Sequence, residues 1–428
     1  MQYPELAASV QRIIMGGSEM AFQPARLELV QKAEGMITFR TRPARSRLED
    51  EVMFTRLTRD LFVSLARNLT ELSFPLGFRR GEHRATDLAD ALYIAKHGEN
   101  SGRGGDLASL RTLTLFPERG TDFVIDDPRI RTFLMAAPNL SRLVIDQVTS
   151  AVELESGDPD PNSSTLHGPV DTVFGNLPVM RNLKAIHLQH CMITDDNTGR
   201  NLARLQQFVS MAPNLRRFQF SAGFNKEFHV LALSGSRVLD MLEPFYPTLV
   251  DLGLHYNAVM PYLEDHSVNL QGLSQFQSLQ VLRLDEAAFC DHRNPGHSAT
   301  DNEIMGSQNP EQPNCLTRIL PISVQILHLK LMHGCEKQHD ALQLALHVAS
   351  GQFMNLLHVQ IESTMHAPPH GALQVRSQEE LRDDGHLRLP RAESDVVIAF
   401  LKANIQVWIR DAGWFDDWDV GSLLKLVS

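Results

Sequence analysis

Cysteine and histidine side chains are the first candidates for chemistry in this sequence, because zinc takes both as ligands. Four of them lie close together in the sequence: Cys290, His292, His297 and Cys315. A second possible pair of ligands is His333 and Cys335. The spacing matches no zinc motif, and Cys290 comes just after a predicted strand, where a small core residue is expected. We therefore interpret these residues as structural and predict no metal site.

Acidic and glycine-rich segments offer the other possible chemistry. Asp195 and Asp196 could act as paired carboxylates, but beside Thr194 they fit better as turn residues before a helix. The glycine-rich run 102–105 lacks the strand and helix that flank a phosphate-binding loop. No serine nucleophile elbow, dinucleotide fingerprint or His-Glu-x-x-His helix occurs in the sequence. We predict a protein that is not an enzyme and binds no cofactor, with an unrecognised hydrolase as an alternative.

The composition restricts the class of partner. The 428 residues are 43% apolar and 21% charged, which is enough to bury a sizeable core. The formal net charge of −11 argues against nucleic acid, because its phosphates bind basic surfaces. No run of about 18 to 20 apolar residues occurs, so no membrane-spanning helix is expected. Four irregularly spaced cysteines indicate a reducing compartment, and we expect a cytoplasmic or nuclear protein that binds neither nucleic acid nor membrane.

A short repeating pattern predicts the elements that position any binding residues. Each copy has a small polar residue, followed by apolar residues one, four and six positions later. Nine copies begin at Asn68, Ser109, Asn139, Asn182, Asn214, Thr248, Ser278, Ser323 and Asn355. The spacing of the apolar residues places no condition on the first residue. That residue is nevertheless Asn, Ser or Thr in every copy. The last two apolar residues are two positions apart, so they point to the same side of a short strand.

Two of the copies continue as complete leucine-rich repeat turns. One runs from Leu183 to Cys191 and Ile193, and the other runs from Leu249 to Asn257 and Val259. The segment 191–195, Cys-Met-Ile-Thr-Asp, resembles the turn of the cysteine-containing class of leucine-rich repeat proteins. The Ala-Pro-Asn-Leu steps and the opening Tyr-Pro-Glu-Leu-Ala are similar to those of fungal F-box/leucine-rich repeat proteins, although no F-box is recognisable. The steps lie at 137–140 and 212–215.

The resemblance implies an α/β fold, a leucine-rich repeat solenoid with a curved parallel sheet on its concave side and irregular helices and loops outside. We expect a helical N-terminal cap over 1–64, an array of about nine repeats over 65–365, a polar loop over 366–394 and a C-terminal cap over 395–428. Apolar periodicity predicts helices at 128–137, 198–212, 237–245 and 340–350. Surface insertions are expected at 81–106, 150–171 and 288–315.

The residues that alternate with the apolar ones should project onto the concave face, which is the default binding surface. Polar side chains of both signs on this face suit a protein partner. The residues predicted to bind are Arg142, His187, Arg217, Gln219, His255, Arg283, Asp285, His328, Lys330 and His358. The family resemblance implies substrate selection for a ubiquitin ligase, with the ligase adaptor bound only if an F-box is supplied upstream. A structural scaffold that binds through its insertions is the alternative.

Overall fold

The repeated apolar pattern forms parallel strands in the computed structural model, which divides into two units, Met1–Leu215 and Arg216–Ser428. The structure describes residues 12–14, 68–76, 107–117, 125, 128–148, 178–193, 199–223, 233–256, 273–285, 288, 315–330, 338–363, 373–375 and 391–411. The two units are called unit 1 and unit 2 below.

Unit 1 has an α/β arrangement whose described strands are parallel and adjacent in chain order. These strands are β1 (Arg12–Ile14), β2 (Glu71–Leu76), β3 (Thr112–Pro117), β4 (Arg142–Asp146) and β5 (Ala185–Cys191). The described helices of the unit are α1 (Pro128–Ala136) and α2 (Arg200–Ser210). Helix α1 thus lies between β3 and β4 in the chain, and α2 follows β5.

Unit 2 repeats this arrangement over a larger number of strands. Its strands are β6 (Arg217–Ala222), β7 (Asp251–His255), β8 (Val281–Asp285), β9 (Ile326–Lys330), β10 (His358–Ser363), β11 (Leu373–Val375) and β12 (Gln406–Asp411). Strands β6 to β10 are adjacent in chain order, and β12 adds to β10 in the same parallel direction. Strand β11 pairs antiparallel with β12.

The helices of unit 2 connect successive strands. They are α3 (Gly235–Met241), α4 (Cys315–Ile319), α5 (Gln338–Ala349) and α6 (Arg391–Lys402), with 3-10 turns at Glu243–Phe245 and Leu273–Gln275. Helix α5 packs against both α4 and α6, and α6 also contacts β12. Together with α1 and α2, these helices confirm the prediction at all four segments where apolar periodicity indicated a helix.

The core follows directly from the spacing of the repeated pattern. All three apolar residues of every copy are buried. In unit 1, one row of partners in the parallel ladder is Leu72, Leu113, Leu143 and Ile186. In unit 2, the corresponding row is Phe218, Leu252, Leu282, Leu327, Val359 and Val407. Neighbouring copies therefore bury apolar faces that no single copy could cover alone.

Helix α2 shows how sequence sets the connection between strands. Leu205, Phe208 and Val209 are fully buried, which places one stripe of the helix against the core. Gly199 precedes the helix with a φ of 66°, a left-handed conformation that glycine adopts without steric cost. Pro213 lies two residues after the C-cap, and the helix cannot continue through a proline.

The polar residue that begins each copy has a structural role between copies. Asn139 Nδ2 donates to the backbone carbonyl of Ala108 at 2.9 Å, and Asn214 Nδ2 donates to that of Arg181 at 2.9 Å. In four further copies the same position donates to a carbonyl in the turn of the copy before it: Asn182 to Pro138, Ser278 to Pro247, Ser323 to Phe276 and Asn355 to Ile322. A short side chain with a donor serves this contact in six copies, whereas Thr248 Oγ1 donates to the Phe245 carbonyl in its own turn.

Replacing Asn214 with alanine should lower the free energy of unfolding by about 0.5–1 kcal/mol, since it removes one exposed side-chain hydrogen bond between copies. The measurement is urea denaturation of the full chain, followed by circular dichroism. Gln206→Ala, at an exposed position of α2 in the same unit, is the control and should change stability by less than half as much. Equal effects of the two substitutions would contradict a role for the Asn214 hydrogen bond.

Two predictions about the chain ends need correction. Residues 12–14 lie in the predicted helical cap but form β1, because the β-branched Ile13 and Ile14 pair with β2. The predicted polar loop over 366–394 contains β11 and the start of α6, and the predicted C-terminal cap supplies a further parallel strand, β12. The rest of 1–64 and nearly all of the three predicted insertions lie outside the described residues. Among the described helices, none has the length and apolar character needed to cross a membrane.

Candidate partner-binding face

All ten predicted binding residues lie on strands, at positions that alternate with the buried apolar residues. We call this side of each sheet the polar face. Arg142 and His187 belong to the polar face of unit 1, on β4 and β5. The other eight belong to unit 2: Arg217, Gln219, His255, Arg283, Asp285, His328, Lys330 and His358. Strand alternation therefore assigns all ten residues to one side of their sheets.

Unit 1 brings two pairs of polar side chains together on β4 and β5. Arg142 Nη2 lies 3.4 Å from His187 Nδ1, so the arginine donates and this ring nitrogen accepts. At the end of the same strands, His190 Nδ1 lies 2.8 Å from Asp146 Oδ1. His190 has a φ of 46°, an uncommon left-handed conformation for a residue with a side chain. The sequence pattern did not indicate this second pair, because His190 lies past the regular alternation of β5.

The polar face of unit 2 contains a buried ion pair between β7 and β8. Arg283 Nε donates to Asp251 Oδ1 at 3.2 Å, and Arg283 Nη2 donates to Asp251 Oδ2 at 3.0 Å. The side chains are only 4% and 3% exposed. A buried carboxylate is tolerated when a cation pairs with it in this two-point geometry. Arg283 is therefore held by the fold rather than presented freely to solvent.

A second ion pair joins β9 and β10 at the carboxyl ends of the strands. Lys330 Nζ lies 2.8 Å from Glu362 Oε1, and the glutamate side chain is 2% exposed. Glu362 was not among the residues predicted to bind. It follows Ile361 on β10 in the way that Lys330 follows Leu329 on β9, so the parallel register could have indicated the pair.

Asp285 has a structural role at the end of β8. Its carboxylate accepts hydrogen bonds from the backbone N–H groups of Tyr256 and Ala288, the latter at 3.0 Å. The residue is fully buried. Such a carboxylate satisfies backbone donors where the strand ends, and this use of both oxygens explains its burial.

His255 lies among the charges of this face. Burial of the ring, followed by the nearby positive charges of Lys330 and Arg283, lowers the pKa of His255 to about 3. Both ring nitrogens are inaccessible to solvent, although part of the side chain is exposed. The ring is consequently neutral at physiological pH. Burial also lowers the pKa of His358, against a hydrogen bond with the Gln406 side chain that raises it.

Two neighbouring side chains leave little room for a Cβ atom at Gly253 of β7. A Cβ atom at this position would lie 2.9 Å from Gln219 Cγ and 3.4 Å from the Nε2 atom of His255. The side chains of Gln219 and His255 therefore occupy the space above Gly253. This arrangement fills the middle of the polar face of unit 2 with packed polar groups.

Most of the predicted binding residues of unit 2 are buried. Gln219, Arg283, Asp285, His328 and His358 are less than 9% exposed, whereas Arg217, His255 and Lys330 are partly exposed. Alternation along a strand tells which side a residue faces, but not how closely its neighbours surround it. A partner can therefore reach the partly exposed residues directly.

The described residues give little support for chemistry at a metal or a nucleophile. Within them, no group of three or more histidine, cysteine or acidic side chains is arranged to hold a metal ion. Among the four cysteines, the side chain of Cys191 is described, and it is buried with Sγ donating to the Gln189 carbonyl at 3.4 Å. Burial raises the pKa of the Cys191 thiol, so it stays protonated and is a poor nucleophile.

Comparison with protein-family models, with curated proteins and with solved structures gave no match for this chain. Function is therefore inferred from the repeated pattern and from the geometry of the polar faces.

Proposed function

We propose that this chain is a leucine-rich repeat protein of the cysteine-containing class. Three observations support the proposal. Strands recur in register with one buried apolar triple each, and helices connect several of them. Side-chain donors at the start of the copies bond to the copy before. Cys191 is buried at the end of β5, where this class places a small residue in the turn.

The proposed function is non-enzymatic binding of a protein partner through the polar faces of the strands. The observation that carries this proposal is the mixture of charges among the partly exposed residues of the polar faces. They are Glu71, Arg142 and Asp146 in unit 1 and Arg217 and Lys330 in unit 2. Mixed charge without one dominant sign suits a protein surface better than a phosphate backbone or a lipid. By family resemblance, the proposed setting is substrate selection for a ubiquitin ligase, in the cytoplasm or the nucleus.

The experiment compares partner capture by the wild-type chain with capture by charge-reversed variants. Arg142→Glu and Arg217→Glu change partly exposed residues on the polar face of each unit. Proximity labelling in the native cell identifies the partner, and the purified partner is then titrated against each variant. We expect at least one of the two variants to weaken binding by about tenfold or more, because placing like charges together at an interface costs several kcal/mol.

Arg181→Glu and Arg216→Glu are the matched controls, since both arginines are exposed and lie in the turns before β5 and β6. They introduce the same change of charge without altering a polar-face position. Equal binding by all four variants would contradict the proposal. It would instead favour a scaffold that binds through its insertions, which deletion of 150–171 or 288–315 would test.

A further inference from the structure

Strands of unit 2 begin in a row of turns that contain no charged residue. The backbone N–H of Gln280 donates to the Val250 carbonyl at 2.9 Å, and that of Gln325 donates to the Gln280 carbonyl at 2.8 Å. The N–H of Leu357 donates to the Gln325 carbonyl at 2.9 Å, and that of Gln406 donates to the Leu357 carbonyl at 3.1 Å. The turns therefore form one continuous surface, which we call the uncharged edge: 247–250, 277–280, 322–325, 354–357 and 403–406. At the chain average of 21% charged residues, a surface of this size would contain about four.

The middle of the uncharged edge exposes large apolar side chains to water. Met354 is 84% exposed, Ile322 is 75% exposed and Leu357 is 42% exposed. Met354 and Ile322 occupy the same position in adjacent turns, and Asn355 Nδ2 joins the two turns by donating to the Ile322 carbonyl at 2.8 Å. The turns on either side have glutamine at the position of Leu357. The repeat does not require apolar residues at these positions, so the three side chains form an additional apolar patch.

A strained turn holds Met354 in water. Phe353, the residue before it, has a φ of 53°, a left-handed conformation that is an outlier for a bulky aromatic residue. On one side of this turn, the N–H of Gln352 donates to the His347 carbonyl at 3.0 Å. On the other side, the N–H of Leu356 donates to the Phe353 carbonyl at 2.9 Å. Backbone strain of this kind clusters where a site depends on it, so the exposed methionine indicates a contact surface.

The chemistry of the uncharged edge is that of an interface core. The corresponding turns of unit 1 contain Arg111, Arg181 and Lys184, so the repeat itself does not exclude charge. Depletion of charged residues around an apolar centre that includes a methionine is typical of the middle of a protein interface. A charged partner surface would bury its charges here without a counter-ion, which is strongly disfavoured. The occupant is therefore an uncharged protein surface with apolar side chains.

The uncharged edge of a second copy meets this requirement. Its hydroxyl and amide side chains both donate and accept hydrogen bonds, so the edge is complementary to itself. A two-fold contact places the same surface on both sides and therefore requires this property. The other exposed large apolar side chains among the described residues are Met135, Val179 and Leu346. They lie on α1, in the turn before β5 and on α5, so within the described chain only the uncharged edge spreads such side chains over adjacent turns.

We propose that this chain forms a homodimer in which the uncharged edges of unit 2 pack together across a two-fold axis. Ile322, Met354 and Leu357 form the centre of the contact, and the flanking amides and hydroxyls form its rim. The contact is small, so the dimer is expected to dissociate in the micromolar range. This inference does not depend on the proposed function, because the edge lies at the amino-terminal ends of the strands and not on the polar face.

The first test is sedimentation equilibrium of the full chain at about 1 to 200 µM. We expect the wild-type chain to convert from monomer to dimer over this range. Met354→Lys should weaken dimerisation by about a hundredfold, because the two-fold axis brings a charge from each copy into the apolar centre. Ile322→Lys is a second variant with the same expected effect. Both residues are at least 75% exposed, so neither change should disturb folding, which circular dichroism checks.

Val179→Lys is the matched control, since Val179 is 67% exposed in a turn of unit 1, and this variant should dimerise as the wild type does. A wild-type chain that stays monomeric at about 200 µM would overturn the proposal, as would a dimer that neither Met354→Lys nor Ile322→Lys weakens. Equal weakening by Val179→Lys would assign the loss to added charge and not to the edge. Growth beyond two chains would exclude a two-fold contact. If the chain is monomeric and Met354→Lys loses the partner found by proximity labelling, that partner covers the edge and a second copy does not.

The second test follows the methyl groups of the methionines by NMR. The chain has 15 methionines, and Met354→Leu identifies the signal of Met354. That signal should shift with protein concentration along the same dissociation curve that sedimentation gives. The signal of Met135, which is exposed on α1 of unit 1, should stay in place. A dimer that forms without moving the Met354 signal would show that another surface makes the contact, and the proposal would fall.

Discussion

Arg283→Met should lower the free energy of unfolding by about 3–5 kcal/mol, because it leaves the Asp251 carboxylate buried without a cation. Both side chains of this pair are less than 5% exposed, and two hydrogen bonds of 3.0 and 3.2 Å join them. Water cannot replace the arginine at such a site. The measurement is urea denaturation of the full chain at neutral pH, followed by circular dichroism.

The double variant Asp251→Leu with Arg283→Met separates the ion pair from the volume that it fills. Replacing both partners with apolar residues of similar size should recover most of the lost stability, since no buried charge remains unpaired. Arg216→Met, at an exposed arginine just before β6, should change stability by less than about 0.5 kcal/mol. If the double variant is as unstable as Arg283→Met, the loss comes from packing and not from the orphaned carboxylate.

Strands β2 to β10 were predictable because the local pattern itself creates the burial. Leu252 and Leu254 are two positions apart on β7, and the same spacing recurs in each copy, so the pleat directs both into the core. Strand β12 was missed because Ile405 and Val407 are two residues apart, where the regular copies have a spacing of three. The spacing of the regular copies therefore does not identify β12, which begins one residue sooner after its first apolar residue than the other strands do.

The preference for Asn, Ser or Thr at the start of each copy was visible in the sequence, but its cause was not. The donor of Asn355 bonds to Ile322 O, 33 residues earlier, and that carbonyl becomes a neighbour only when the copies stack in register. A residue preference can therefore indicate a repeated contact before the contacting atoms are known.

The pairing on the polar face could not be predicted from alternation alone. Arg283 lies opposite Gly253 in the parallel register, yet its guanidinium reaches diagonally to Asp251. The missing side chain of Gly253 leaves the space that Gln219 occupies above β7. Burial of these residues depends on several strands together, whereas the sequence pattern of one strand gives only the side that a residue faces.

Acidification should destabilise the protein through His255. The pKa of this ring is about 3 in the folded chain and about 6.5 in the unfolded chain, because burial and the positive charges of Lys330 and Arg283 disfavour the protonated form. The unfolded chain therefore binds a proton more readily below pH 6.5. The stabilisation is fully present above pH 6.5 and is lost as the pH falls toward 3, at a rate of up to about 1.4 kcal/mol per pH unit.

The variant His255→Gln isolates this effect from the protonation of carboxylates, including Asp285 on the adjacent strand. Urea denaturation of both chains at pH 7.5, 6, 5 and 4 gives the difference in the free energy of unfolding at each pH. Glutamine does not titrate, so the stability advantage of the wild-type chain over His255→Gln should shrink steadily below pH 6.5. It should reverse if the neutral ring contributes little packing.

His358→Gln is the control for the second buried histidine, whose pKa is also lowered but is partly restored by Gln406. It should show a weaker dependence in the same direction. A difference that stays constant from pH 7.5 to pH 4 would mean that His255 accepts a proton equally well in the folded chain, and that the charges of Lys330 and Arg283 do not act on it.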